Sequence, residues 1–236
     1  MRRFATLRLC AECGIAHTVR IISEHSLTAT GNHVARGAGT RERILAASRE
    51  VMLGKGLVRA TTKEIARAAG LSEGTLYNHF ANKEELFLCT LNELPSGFVS
   101  LIRGLQERAG TETVQSVLEH VARSALDFYG EAIPMGASFF ADPELLARHR
   151  ELLQQRGAGP QRANEAVAAY LRAEQEIGRI RGDADPDAVA YMLLGALYQY
   201  VYWRQFLGQP PHPPADDRFV DSLLSALDRL LTPVSV

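Results

Sequence analysis

Between Thr61 and Lys83 the chain reads TTKEIARAAGLSEGTLYNHFANK, and its apolar positions fall into two short helical stripes. Ile65, Ala66 and Ala69 recur at helical spacing and give the first stripe one inward face. Thr61, with Glu64 three residues later, is the residue pair of a capping box, so the spacing predicts a helix start at about Thr61. Gly70 follows at the place where a chain leaves a helix with positive φ, and Leu71 can then turn inward. Ser72 predicts the cap of a second helix. Glu73 falls in its first turn, where the macrodipole favours a carboxylate. Leu76 and Phe80, four apart, face the core. Thr75, Tyr77, Asn78 and His79 remain on other faces, rich in hydrogen-bonding groups. A helix, a glycine turn and a short polar-faced helix make the helix-turn-helix pattern, in which the second helix enters the DNA major groove and the first braces it.

The rest of the chain repeats the helical period and shows no strand pattern of useful length. Thr40 predicts the cap of an earlier helix with Ile44, Leu45, Ser48, Val51 and Met52 inward, ending at Gly54 and Gly56. Ile44, Val51, Leu57, Ile65, Leu76 and Phe80 form the expected small core. A fourth helix opens at Asn82-Lys83-Glu84-Glu85 and is interrupted at Pro95. Beyond it, helices are predicted over Thr111 to Tyr129, from Asp142-Pro143 to about Gln155, over Gln161 to Ile180, from Asp185-Pro186 through Phe206, and over Asp216 to Leu231. Gly130 to Phe140, with Pro134, reads as short and irregular. The expected fold is all-α, with about nine helices. Three segments are expected: residues 1–38 as a basic, mostly disordered arm, 39–84 as the helix-turn-helix domain, and 85–236 as a larger helical domain.

Charge sharpens this division. The total is only −1. Residues 1–36 carry five Arg against two Glu, a net of +3, and residues 37–90 carry eight Lys or Arg against six Glu, a net of +2. The remainder carries 13 basic and 19 acidic residues, a net of −6. The positive end coincides with the helix-turn-helix, as phosphate contact requires. No apolar run reaches the length of a membrane span. Arg8, Glu12 and His17 interrupt any secretory h-region. Three cysteines without scaffold spacing fit a reducing cytoplasm, the expected location.

The segment resembles the DNA-binding region of the TetR family of transcriptional regulators. Thr62, Ile65, Ala66, Ala69, Gly70, Leu71, Ser72, Gly74, Thr75, Leu76, Tyr77, His79, Phe80, Asn82, Lys83 and Leu86 carry the resemblance without a gap, over roughly Gly39 to Thr90. It implies a one-component repressor that binds a palindromic or near-palindromic double-stranded operator as a homodimer and leaves it when a small-molecule effector binds. Thr61 and Thr62 are placed to hold a phosphate at the start of the bracing helix. Ser72, Thr75 and Asn78 are placed for base edges or phosphates, with Gly74 allowing close approach. Tyr77, His79 and Lys83 are matched to backbone phosphates, with packing between helices as the bland reading of the first two. The resemblance also implies dimerisation through the last two helices. Met192, Leu193, Leu197, Tyr200 and Val201 on one, and Leu223, Leu227 and Leu230 on the other, are the candidates, with internal core as the alternative. Effector candidates are Phe128, Met135, Phe139, Tyr170, Tyr198, Tyr202 and Trp203, for each of which core packing is the ordinary alternative.

Other classes find less support. No nucleophile elbow, Walker loop, HExxH or dinucleotide turn is present, so no enzyme and no cofactor are expected. Glu174 with Glu176 reads as a solvated helix face. Cys10-x-x-Cys13 with His17 resembles half a zinc site, but four ligands are needed and no second half follows, so no metal is expected. An activating or architectural DNA-binding role stays open beside repression.

Overall fold

The computed structural model describes residues 7–10, 15–18, 30–94, 96–137 and 139–233, with side chains from residue 39 onward except 214. By the contacts among its residues the chain divides into two units: Met1–Val51 with Ala60–Asn92, and Met52–Arg59 with Glu93–Val236. The fourth helix therefore falls in the first unit, eight residues past the boundary expected at 84.

Strand β1 (Leu7–Cys10) pairs antiparallel with β2 (Ile15–Thr18), Leu7 opposite Thr18 and Cys10 opposite Ile15. This replaces the structureless chain expected there. Cys13, named in the zinc reading, lies outside the described residues. Helix α1 (Thr30–Arg59) begins ten residues before the predicted Thr40 cap. Helix propagation adds one hydrogen bond per residue, and this outweighs the weak propensity of the intervening glycines. The predicted stop is a kink at Gly56, where φ is +74°. Then come α2 (Thr62–Ala68), α3 (Glu73–Tyr77) and α4 (Lys83–Asn92). Ile44, Ile65, Leu76 and Phe80 are fully or almost fully buried, as is Leu57, whereas Val51 is half-buried. A buried hydroxyl pair, Thr90 Oγ1 and Ser48 Oγ 3.0 Å apart, ties α4 to α1.

The second unit holds α5 (Phe98–Arg103), α6 (Val114–Gly136), α7 (Pro143–Gln155), α8 (Gln161–Glu176), α9 (Pro186–Phe206) and α10 (Pro213–Leu231). Its core is a single cluster in which α8 and α9 pack together, with α6 and α10 against them; Val117, Val121, Leu171, Leu193, Leu197 and Leu227 lie at its centre. Among the described residues no helix is long and apolar enough to cross a membrane, and no group of three or more His, Cys, Asp or Glu is placed to hold a metal ion.

Two departures from the predicted helices have a physical cause. Helix α6 runs through Gly130 and Pro134, a stretch expected to be irregular. Pro134 has no N–H for the Gly130 carbonyl four residues back. Gln205 Nε2 from α9 donates to that carbonyl at 2.7 Å instead. Helix α8 stops at Glu176, short of the predicted Ile180, because Gly178 turns the chain at φ +75°. Glu176 is exposed as expected, but Glu174 is completely buried and does not lie on a solvated face. One oxygen accepts from the Gly110 N–H at 3.0 Å and the other pairs with Arg179 at 3.4 Å without a hydrogen bond, which offsets part of the cost of burying the charge.

Candidate nucleic-acid interface

The helix-turn-helix is assembled from bonds only a few residues long. Thr61 Oγ1 accepts from the Glu64 N–H at 3.1 Å, and the Glu64 carboxylate accepts from the Thr61 N–H at 3.3 Å, completing the predicted box. At the other end of α2, the Gly70 N–H donates to the Arg67 carbonyl at 3.0 Å and the Leu71 N–H to the Ala66 carbonyl at 2.8 Å. This is a full Schellman motif around Gly70, whose φ is +66°. Arg43, from α1, donates to the Ala69 carbonyl at 2.6 Å, closing another orphan acceptor of that end. Ser72 Oγ then accepts from the Thr75 N–H at 3.1 Å and shares a 2.8 Å hydroxyl bond with Thr75 Oγ1. Asn82 and Glu85 repeat the device at the start of α4, where Asn82 Oδ1 accepts from the Glu85 N–H at 2.7 Å.

Buried Leu76 and Phe80 anchor α3, which leaves its other faces outward. Ser72, Gly74, Tyr77 and Asn78 are exposed, and Thr75, His79 and Lys83 are half-buried. Thr61 is exposed and Thr62 half-buried at the start of α2. A Cβ built on Gly74 meets only Ser72 Oγ, at 3.9 Å, so the protein's own packing does not demand a glycine there. Lys63, Arg67, Ser72 and Glu73 rim an open cleft of about 580 Å³ between α2 and α3. Burial, and then the charge of Arg41, push the His79 imidazole below its usual pKa, so the ring is neutral near pH 7 and offers an N–H rather than a full charge. The same Arg41 guanidinium lies over the Phe80 ring, 5.4 Å from its centroid.

One contact of this surface has no signal in the sequence spacing. Thr62 Oγ1 donates to Glu73 Oε1 at 2.5 Å and lies 3.3 Å from the Tyr77 hydroxyl. Thr62 spends its only proton on the carboxylate, so Tyr77 is the donor in the second bond. The chain Tyr77 to Thr62 to Glu73 lashes both ends of α3 to the first turn of α2.

The effector candidates do not form one set. Phe128, Tyr129, Tyr198, Tyr202 and Trp203 are linked ring to ring at centroid distances of 5.5 to 6.5 Å. Tyr198, Tyr202 and Trp203 are 42–50% exposed at the end of that ladder. Met135 and Phe139 are buried, and Phe139 packs on His149 at 4.3 Å. Tyr170 is buried within the helical core, its hydroxyl beside Glu174, and burial raises its pKa. The dimer candidates divide as well. Leu193, Leu197 and Leu227 belong to the protomer's own core and Val201 is buried, so the internal alternative holds for them: a side chain already covered has no surface to give a partner. Leu223 packs on the same core, and Tyr200 stacks on Phe219 at 4.1 Å. Met192 and Leu230 stay exposed, together with Tyr191, Tyr202 and Phe206 on α9.

Comparison with known proteins agrees with this geometry. The model of the bacterial regulatory proteins of the tetR family matches residues 44–89, and that of the AefR-like transcriptional repressor C-terminal domain matches residues 141–230. The chain is 27% identical to the HTH-type transcriptional repressor AcnR of Corynebacterium efficiens, over 70% of this chain and 80% of that protein. It is 30% identical to the nucleoid occlusion factor SlmA of Glaesserella parasuis, over 52% of this chain and 72% of that one. The fold is shared with a TetR-family regulator from Mesorhizobium loti at a TM-score of 0.65 and 21% identity, covering 84% of this chain and 99% of the other. With two family models spanning both the capped helix-turn-helix and the helices that follow, the chain belongs to the TetR family of bacterial transcriptional regulators.

Proposed function

We propose that this regulator is a repressor that binds a two-fold operator as a homodimer and releases it when a small molecule enters the helical unit. The observation that carries the DNA reading is the outward polar face of α3, held by caps at both ends while Leu76 and Phe80 pin its inner face. Ser72, Thr75 and Asn78 face the base edges, and the bare backbone at Gly74 permits close approach. Tyr77, the neutral N–H of His79 and the Lys83 ammonium bind phosphates. The Thr61 N–H and the hydroxyls of Thr61, Thr62 and Tyr77 are engaged within the protein, so Thr62 offers its backbone N–H while keeping its bond to Glu73, and Thr61 and Tyr77 exchange a bond on binding. Repression is favoured over activation because the C-terminal match is to a repressor domain and AcnR is a repressor.

One helix-turn-helix covers one half-site, so affinity requires two copies. The exposed face of α9, with Tyr191, Met192, Gly195, Gln199, Tyr202 and Phe206, supports the second copy. Gly195 is a mid-helix glycine whose added Cβ would meet nothing in the protomer. It weakens its own helix by about 1 kcal/mol relative to alanine, a cost explained if a partner helix crosses there. The ring ladder ending at Tyr198, Tyr202 and Trp203 supports an apolar or aromatic effector, whose differential affinity for the two states would shift the DNA equilibrium.

The test is direct. Duplexes are selected from a random library by the full chain, and binding is followed as a function of salt. Tyr77→Ala and Lys83→Ala should weaken binding to every sequence, and Lys83→Ala should reduce the salt slope by about one. No selection of any duplex at low ionic strength would end the DNA reading. Unchanged slopes and affinities in both variants would leave these residues a packing role only.

A further inference from the structure

The dipole of α3 favours a carboxylate in its first turn, but on a surface that meets DNA Glu73 is repelled by phosphates, a cost that a base contact would offset. We infer that Glu73 is a specificity-determining residue that reads a cytosine in each half-site. This rests on the reading of α3 as the groove-entering helix. Glu73 Oε1 is held by the Thr62 hydroxyl at 2.5 Å. Its second oxygen has no hydrogen bond among the described residues, and the residue stands on the rim of the open cleft. Lys63 and Arg67 line the same cleft, and no ion pair between them and Glu73 is found among the described residues.

A carboxylate only accepts hydrogen bonds, so its partners on the base edges are amino groups. Cytosine presents its N4 amino group as a donor in the major groove. Adenine places the N7 acceptor beside its N6 amino group, and that lone pair opposes a carboxylate. Guanine and thymine offer acceptors and a methyl group. The residues nearest the start of a recognition helix are those that reach base edges. Thr62 fixes the Glu73 rotamer before DNA arrives, so little side-chain freedom is lost on contact. The bond that lashes α3 to α2 thereby also aims the reader.

The experiment uses duplexes selected from a random library by the wild-type chain. Fluorescence anisotropy then compares the selected consensus with every single-base-pair variant, for wild type, Glu73→Ala and Glu73→Gln. The expected result is one C·G pair per half-site at which wild type discriminates about tenfold or more. That preference should fall below about threefold in Glu73→Ala, while the other positions keep theirs. Glu73→Gln, with a donor and an acceptor, should move the preference at that position toward adenine. Base preferences unchanged in both variants would overturn the inference. So would a loss of affinity equal at all positions, which would make Glu73 a positioning residue only. If Glu73→Ala does not fold by circular dichroism, Glu73→Gln keeps an oxygen for Thr62 and carries the test alone. Failure of the wild-type chain to select any duplex would instead overturn the DNA reading on which the inference stands.

Discussion

At Gly70 two requirements coincide. The φ of +66° is strained for any L side chain, and a built Cβ would stand 3.1 Å from Arg43 Nη2. That guanidinium is engaged with the Ala69 carbonyl, so it can yield only by giving up the bond. Gly70→Ala should therefore destabilise the chain by about 1–2 kcal/mol, read as a lower urea midpoint at unchanged m-value. A shift equivalent to less than about 0.5 kcal/mol would mean that the turn relaxes without strain. The glycine, the Thr61 box and the Ser72 cap were legible in the sequence because each makes bonds to residues three or four positions away. The Arg43 and Glu73 contacts were not. Their partners stand 26 and 11 residues away, and no spacing along the chain encodes them.

Among the elements, α2 and α3 needed little beyond their own residues, whereas α6 and α8 depended on neighbours. The proline in α6 is tolerated because a side chain of α9 takes the carbonyl it orphans. On α8 the pair Glu174 and Glu176 looked alike in sequence, and only packing separates them. Glu174→Ala should cost about 2–3 kcal/mol, since it strips the Gly110 N–H and Arg179 of a buried charged acceptor. Glu176→Ala, on the exposed face, should change stability by no more than about 0.5 kcal/mol. Paired chemical denaturation of the two variants checks this, and equal effects would refute the assignment of the buried carboxylate. The same dependence explains the predicted dimer stripe. Leu193 and Leu197 were recognisable as apolar positions on a helix that is apolar nearly all round. A helix of that kind has no periodicity to say which side faces its own protomer.

For the whole molecule the consequence is that, in the dimer proposed above, the second copy would meet the opposite side of α9, around Gly195. Gly195→Arg places a long charged side chain on that exposed face, starting from a Cβ that meets nothing in the protomer. Light scattering at micromolar concentration should then give a monomer of unchanged helicity, and affinity for a two-fold duplex should fall on the order of a hundredfold. A dimer that persists would move the interface elsewhere. The amino-acid sequence by itself determined the capped helix-turn-helix, the helical class of the remainder and the family, because these follow from local hydrogen bonds and from the 3.6-residue period. The tertiary structure alone decided which apolar side chains are core and which are surface. It also decided that Glu174 is buried and that Thr62 holds Glu73. Those facts depend on pairs that meet only after the chain has closed on itself, 64 residues apart for Glu174 and Gly110 and 75 for Gln205 and Gly130.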